Sequence, residues 1–279
     1  MTCLAVLALA VELVTAAQPA LTVTHAARAL GPGELVVLTI TAPASAQISV
    51  RAFGRAWPAH HADGETWRAL VGIDLGTKPG RHEVIVTSGE ARIVHPLVIK
   101  ARAFPTRRLT VDPALVTPPP EARERIEREA RELAAAWELS SDVPLWTGRF
   151  VDPVPDAANS AFGTHSVYNG VPRSQHSGAD FASPAGRPVK APNGGRVVLA
   201  GSRYFTGNTV LIDHGQGLFS LMAHLSEIDV KPGTTVSAGD VVGKVGATGR
   251  VTGPHLHWTV RINGARVDPL SLLHVLGAR

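Results

Sequence analysis

The segment Thr252-Gly253-Pro254-His255-Leu256-His257-Trp258-Thr259-Val260-Arg261-Ile262 opens on a glycine-proline turn and runs into a β-type stretch. The turn followed by Trp, Thr, Val and Ile predicts a strand over Leu256–Ile262. Residues two apart on a strand project to the same side, so His255 and His257 face one cavity. Similar runs recur through the last third: Gly195-Arg196-Val197-Val198-Leu199-Ala200, Thr209-Val210-Leu211-Ile212-Asp213, Gly217 to Leu225, and Val241-Val242-Gly243-Lys244-Val245. Asp213-His214-Gly215-Gln216-Gly217 between two of them reads as a hairpin turn, with His214 in it. Residues 151–279 are therefore predicted to form a mainly antiparallel β domain.

The first third has the same texture. Runs at Leu21–Thr24, Glu34–Ile40, Gln47–Val50, Trp67–Ile73, His82–Val86 and Arg92–Ile99 are separated by turn signals such as Gly31-Pro32-Gly33, Asp63-Gly64 and Lys78-Pro79-Gly80. Several alternate apolar with polar, as half-buried strands do. Six strands and no helix predict an immunoglobulin-like sandwich over residues 18–104.

Between the two, residues 105–150 read as a connector with a helix over about 118–139. Thr117 is placed to cap it, Pro118-Pro119-Pro120 fill the first turn where N–H groups are unneeded, and Glu121 and Glu124 suit the positive end of the dipole. Ile126, Ala130, Leu133 and Trp137 form one apolar stripe, and the charged remainder reads as a solvated face supported by Glu121–Arg125 and Glu127–Arg131 pairs. The fold class is thus mainly β: a sandwich, a helical connector and a second β domain.

With 279 residues the chain is long enough for two such cores. The net charge of +4 suits work near a polyanion, but no basic run exceeds Arg107-Arg108 and aromatics make up only 5%. That composition argues against nucleic-acid binding. The single Cys3 excludes a disulfide framework and a cysteine zinc site. Residues 3–17, CLAVLALAVELVTAA, are apolar, too short to span a bilayer comfortably, and end in small residues, the pattern of an export signal over residues 1–17. The reading is an exported protein of the periplasm, envelope or extracellular space, whose mature chain does not insert in a membrane.

His176-Ser177-Gly178-Ala179-Asp180, His224 and His255-Leu256-His257 supply four imidazoles and one carboxylate. Neutral imidazole and carboxylate are zinc ligands, and a catalytic site uses three while leaving a position to water. His176 and Asp180 stand four apart, with Gly178 between, so a loop or bent strand can present both to one ion. Two histidines remain over, and imidazole, with its pKa near 6.5, suits proton transfer in hydrolysis. The other histidines, His25, His60, His61, His82, His95, His165 and His274, read as surface or hydrogen-bonded groups. Gly239-Asp240-Val241-Val242-Gly243 also resembles part of a swivelling carrier domain, but the chain has no lysine in a carrier-type turn.

Four blocks together are more specific: Arg173 to Phe181 (RSQHSGADF), Leu221 to Ser226 (LMAHLS), Gly239 to Gly249 (GDVVGKVGATG) and Thr252 to Trp258 (TGPHLHW). They resemble the signature blocks of the lysostaphin/LytM-type zinc metallopeptidases, which cut peptide bonds in peptidoglycan. The match covers about Phe162 to Leu273, and the sandwich and helix look more loosely like the accessory region of secreted bacterial members. The resemblance implies an antiparallel core of the duplicated hybrid motif type and one zinc per chain held by His176, Asp180 and His257. It gives His224 and His255 as the catalytic pair and Tyr204 as a further stabilising group. A monomeric endopeptidase acting on peptidoglycan peptide stems follows. The alternative within this fold is an inactive wall-binding protein or amidase activator, members of which lack ligands that this chain keeps. Where the family often has an aromatic residue two positions before the middle histidine, this chain has Met222.

Overall fold

The computed structural model describes residues 20–110, 117–160, 162–172 and 174–277. The expected export segment over residues 1–17 lies outside them.

Eight strands form the first third: β1 (Thr22–Ala27), β2 (Leu35–Thr41), β3 (Ile48–Ala52), β4 (Arg55–Trp57), β5 (Ala59–Asp63), β6 (Thr66–Gly72), β7 (Gly80–Ser88) and β8 (Ala91–Ile99). They make two four-stranded sheets, β1-β2-β6-β5 and β4-β3-β7-β8, with every pairing antiparallel. Leu35, Leu38 and Ile40 of one sheet and Val50, Val84, Val86 and Leu97 of the other belong to one buried cluster. All six expected runs are strands. β4 and β5 are additional, being too short and too polar to show a period: β4 folds back on β3 through Phe53 and Gly54, both at positive φ.

The chain then crosses to the second half through β9 (Thr106–Leu109), which pairs in parallel with β11 (His165–Tyr168); β11 in turn pairs with β12 (Val171–Pro172). The connector helix starts later than its sequence suggests. A 3₁₀ turn at Pro120–Ala122 leads into α1 (Arg123–Ala136), with Pro119 at the cap position and no side-chain capping bond. Pro118 to Pro120 push the first helical residue beyond reach of Thr117, which therefore does not cap. Leu133, Ala136 and Trp137 pack on Leu199, Leu211, Phe219 and Leu221, while Ala130 of the expected stripe is exposed. The ion pairs are Arg125–Glu129 at 2.6 Å and Arg128–Glu132 at 3.9 Å instead of those expected. Glu129 also accepts the Tyr204 N–H and Glu132 pairs with Arg203, so the sheet beneath the helix selects the partners.

The second half is one ten-stranded sheet. Its strands are β10 (Ala158–Ser160), β13 (Ala179–Phe181), β14 (Pro188–Lys190), β15 (Gly195–Arg203), β16 (Gly207–Gly215), β17 (Leu218–Ile228), β18 (Thr235–Val236), β19 (Val241–Val245), β20 (Leu256–Ile262) and β21 (Ala265–Val267). The main order is β10-β13-β20-β17-β16-β15-β18; β19 joins β14 to β17, and β21 pairs with β20. A helix absent from the sequence reading, α2 (Pro269–Leu276), closes the chain; Asp268 accepts the Leu270 N–H at its start. Asp-Pro at a helix start is the signal that could have revealed it.

The two halves meet over a closely packed seam. Gly72 of β6 approaches β20 and β21 so closely that a Cβ there would lie 2.7 Å from Ile262 and 2.9 Å from Ala265. Beside it Arg28 and Arg102 each bridge the buried carboxylates Glu34 and Asp268, at 2.6–3.2 Å. Ser271 donates to Glu34, and Arg266 pairs with Asp74 at 2.8 Å.

Candidate metal centre

Sheet register assembles the site. β13, β20 and β17 lie side by side, with Asp180 opposite His257 and His257 opposite Ala223, the residue before His224. Cross-strand partners share a face, so Asp180 and His257 converge. His176 joins them from the loop before β13. His176 Nε2 lies 3.0 Å from Asp180 Oδ1 and 3.1 Å from His257 Nδ1, and His257 Nδ1 lies 2.8 Å from Asp180 Oδ1.

These three residues fit a metal ion. Their donor atoms all lie within 4.8 Å of one another, and ligands bound at about 2.0–2.2 Å in tetrahedral array sit about 3.3 Å apart. Two imidazole nitrogens and a carboxylate oxygen facing one point are a donor set for a borderline cation. The second nitrogen of His257, Nε2, lies 2.8 Å from Thr259 Oγ1, an outer contact of the kind that fixes ring orientation in metal-binding histidines. Burial favours the neutral, ligating form of His257 and is opposed by Asp180. Burial also works against charge on Asp180, but the bonds from His176 and His257 outweigh it and hold the carboxyl far below its usual range.

His224 and His255 flank this cradle, their rings 4.9 Å apart. His224 sits in a β-bulge: two residues of β17, Ala223 and His224, face one residue of β16 between the Asn208–Leu225 and Val210–Met222 pairs. Its φ is +64°, a left-handed conformation uncommon for a non-glycine residue. Such bulges re-aim a side chain, and here the bulge turns His224 toward the cradle. The Nδ1 of His224 lies 2.9 Å from the Thr248 carbonyl, and that of His255 2.9 Å from the Gly253 carbonyl. A carbonyl only accepts, so each Nδ1 carries the hydrogen and each neutral ring presents an Nε2 lone pair. Burial, with His257 nearby, pushes the His224 pKa down to about 3.

The five residues line a cavity of about 330 Å³ together with Arg107, Ser166, Tyr168, Phe205, Thr206 and Arg250, among others. Tyr204 is not among them. It lies against α1, with the Arg125 guanidinium 5.9 Å from its ring centre and Phe205 edge-on to it. The cavity's tyrosine is Tyr168 of β11, which the sequence reading missed along with Arg107, because neither belongs to a recognisable motif. Met222 is fully buried opposite Trp258, so it packs the core and leaves the cavity to others. His214 is likewise no turn residue: it closes β16, fully buried, with Nδ1 2.7 Å from the Gly194 carbonyl and Nε2 2.9 Å from Ser220 Oγ. The tight turn is Gln216-Gly217, both at positive φ.

Residues 174–269 match the model of peptidase family M23. A crystal structure from Pseudomonas aeruginosa, described as a candidate peptidase M23, is 36% identical and aligns over 89% of this chain and 96% of that one, at a TM-score of 0.71. The chain belongs to peptidase family M23. Among curated M23 relatives, the DD-carboxypeptidase/endopeptidase Mpg of Neisseria meningitidis serogroup B is 46% identical over 97 residues, 35% of this chain. The peptidoglycan DD-endopeptidase ShyA of Vibrio cholerae is 44% identical over 95 residues, 34% of this chain. The chain spans only 22% of the length of either relative. The M23 match over residues 174–269 holds all five residues of the metal cradle and its flanks, whereas Arg107 and Tyr168 precede it.

Proposed function

We propose that the protein is a zinc-dependent endopeptidase hydrolysing peptide crosslinks of bacterial peptidoglycan. One zinc per chain would be held by His176, Asp180 and His257, with His224 and His255 as the catalytic pair. The observation that carries this reading is the surplus beyond the metal cradle: two further imidazoles on its rim, each with Nδ1 tied to a carbonyl and Nε2 available. A structural metal site has no need of them. The names of the relatives, DD-endopeptidase and DD-carboxypeptidase/endopeptidase, point to wall peptides as substrate.

When bound, zinc supplies Lewis acidity, polarising a carbonyl and easing loss of a proton from water. The chain's own residues do the rest. His224, with Nδ1 tied to the Thr248 carbonyl, lines the cavity with its Nε2 lone pair left over, and is placed to accept a proton there. His255, less enclosed, can take up a proton at Nε2 and in that protonated form donate from it to the developing oxyanion or to the leaving amine. The open side of the cavity admits an extended peptide. Residues 1–17 as an export signal, 18–104 as an accessory sandwich, 105–150 as connector, 151–279 as the catalytic unit, and a monomer in the periplasm or envelope complete the proposal. No helix among the described residues is long and apolar enough to cross a membrane.

The test separates holding metal from moving protons. EDTA should abolish fragment release from purified peptidoglycan and zinc should restore it; activity unchanged by EDTA would sink the reading. His257→Ala should lose zinc by elemental analysis. His255→Ala should keep one zinc per chain while kcat falls by about 100-fold or more.

A further inference from the structure

The cavity over the metal cradle has a wall that the M23 match does not contain. β9, from the connector, pairs in parallel with β11 so that Arg107 stands beside Ser166. Ser166 and Tyr168, two apart on β11, share a face, and all three line the cavity. Arg108, next along β9, does not. On another part of the lining, the Arg250 guanidinium lies 4.4 Å from the centre of the Phe205 ring. The one carboxylate of the lining, Asp180, is bonded to His176 and His257. Arg107 is exposed and forms no ion pair among the described residues. A guanidinium held on a strand, open to a cleft and paired with no acid among the described residues, is built to take a carboxylate with two parallel hydrogen bonds.

Resting on the hydrolase reading above, we infer that Arg107 is a specificity-determining residue that binds a free carboxylate of the substrate peptide close to the scissile amide. The connector thereby contributes to substrate selection directly and is more than a spacer. The ligand chemistry is a peptide carboxylate, whether on a side chain next to the cleaved bond or at a nearby chain end. Because a charge-assisted hydrogen bond outweighs a neutral one by roughly a factor of two in energy, amidation of that carboxylate should be felt about tenfold or more in kcat/KM.

The experiment uses a synthetic crosslinked stem-peptide dimer in three forms: both carboxylates free, the side-chain carboxylate amidated, and the terminal carboxylate amidated. Wild-type protein should lose about tenfold in kcat/KM on one amidated form, mainly through KM, and which form it is identifies the source. Arg107→Ala should fall to that lower level on the free form and show no further loss on the amidated one. Arg107→Lys should recover part of the preference, and Arg108→Ala, which removes the same charge from the opposite face of the strand, should behave as wild type. Titration calorimetry of the three peptides with zinc-loaded His255→Ala should show the same ranking without turnover. Equal loss by Arg107→Ala on all three forms, or no preference in the wild type, overturns the inference while leaving the peptidase reading intact. Preferential binding of the free form without cleavage by wild type would uphold the carboxylate site and overturn the peptidase reading.

Discussion

Gly178 stands between His176 and Asp180 where no side chain fits. A Cβ there would lie 2.4 Å from the Trp258 carbonyl and 2.8 Å from the ring of His257, both on β20. The loop that delivers His176 thus lies directly against the strand that delivers His257, and glycine is what permits the approach. Gly178→Ala should push His257 off its position and weaken zinc binding by about 10–100-fold, the scale seen when supports of ligating residues are lost. Competition with a fluorescent chelator measures this; an unchanged affinity would show that the loop has slack. At this scale the sequence was largely legible. The HxH pair declared itself because strand residues two apart share a face, and Gly178 stood out between two potential ligands. Tyr204, in the turn between β15 and β16, is not in the cavity lining, because a tyrosine in the right neighbourhood says nothing about which way its turn points.

Among elements, β16 and β17 carry most of the consequences. The bulge at His224 could not be read from Leu221 to Leu225, since an extra residue in one strand is defined only by the pairing of its neighbour. His214 shows the same limit: its Asp-His-Gly-Gln-Gly setting looks like a turn, yet the strand continues through it and the ring is fully buried. Burial lowers its pKa from 6.5 to about 4, against the bond to Gly194. A histidine kept neutral in the fold binds its proton more readily when unfolded, so its contribution to stability is full above pH 6.5 and declines as pH falls toward about 4. The loss from this one group is on the order of 3 kcal/mol by that point. The melting temperature should therefore drop between pH 6.5 and 4, and His214→Gln, which cannot charge, should drop less steeply over that interval. Parallel slopes would mean that other groups set the acid limit.

For the molecule as a whole, the seam between the halves decides what the cavity looks like. Gly72 against Ile262, Ala265 and Val267, together with the Arg28–Glu34–Arg102–Asp268 cluster, fixes the first sheet pair against β20, β21 and α2. That fixed seam sets where the connector departs and so where β9 meets β11. Gly72→Val should destabilise the protein by about 1–3 kcal/mol through overpacking, read as a lower denaturation midpoint, while zinc stoichiometry is retained. A midpoint equal to wild type would show that the halves can slide apart to make room.

The sequence by itself determined the mainly β class, the sites of most long strands, the connector helix and all five residues of the cradle and its flanks. Those signals are local: periods of two, turn residues and short motifs survive without knowledge of the partner strand. Only the tertiary structure decided which strands adjoin, that His224 occupies a bulge, that Tyr204 faces α1 and that Arg107 and Tyr168 wall the cavity. Arg107 and Ser166 are brought together by a parallel pairing between segments nearly sixty residues apart, and nothing in either segment alone encodes its neighbour.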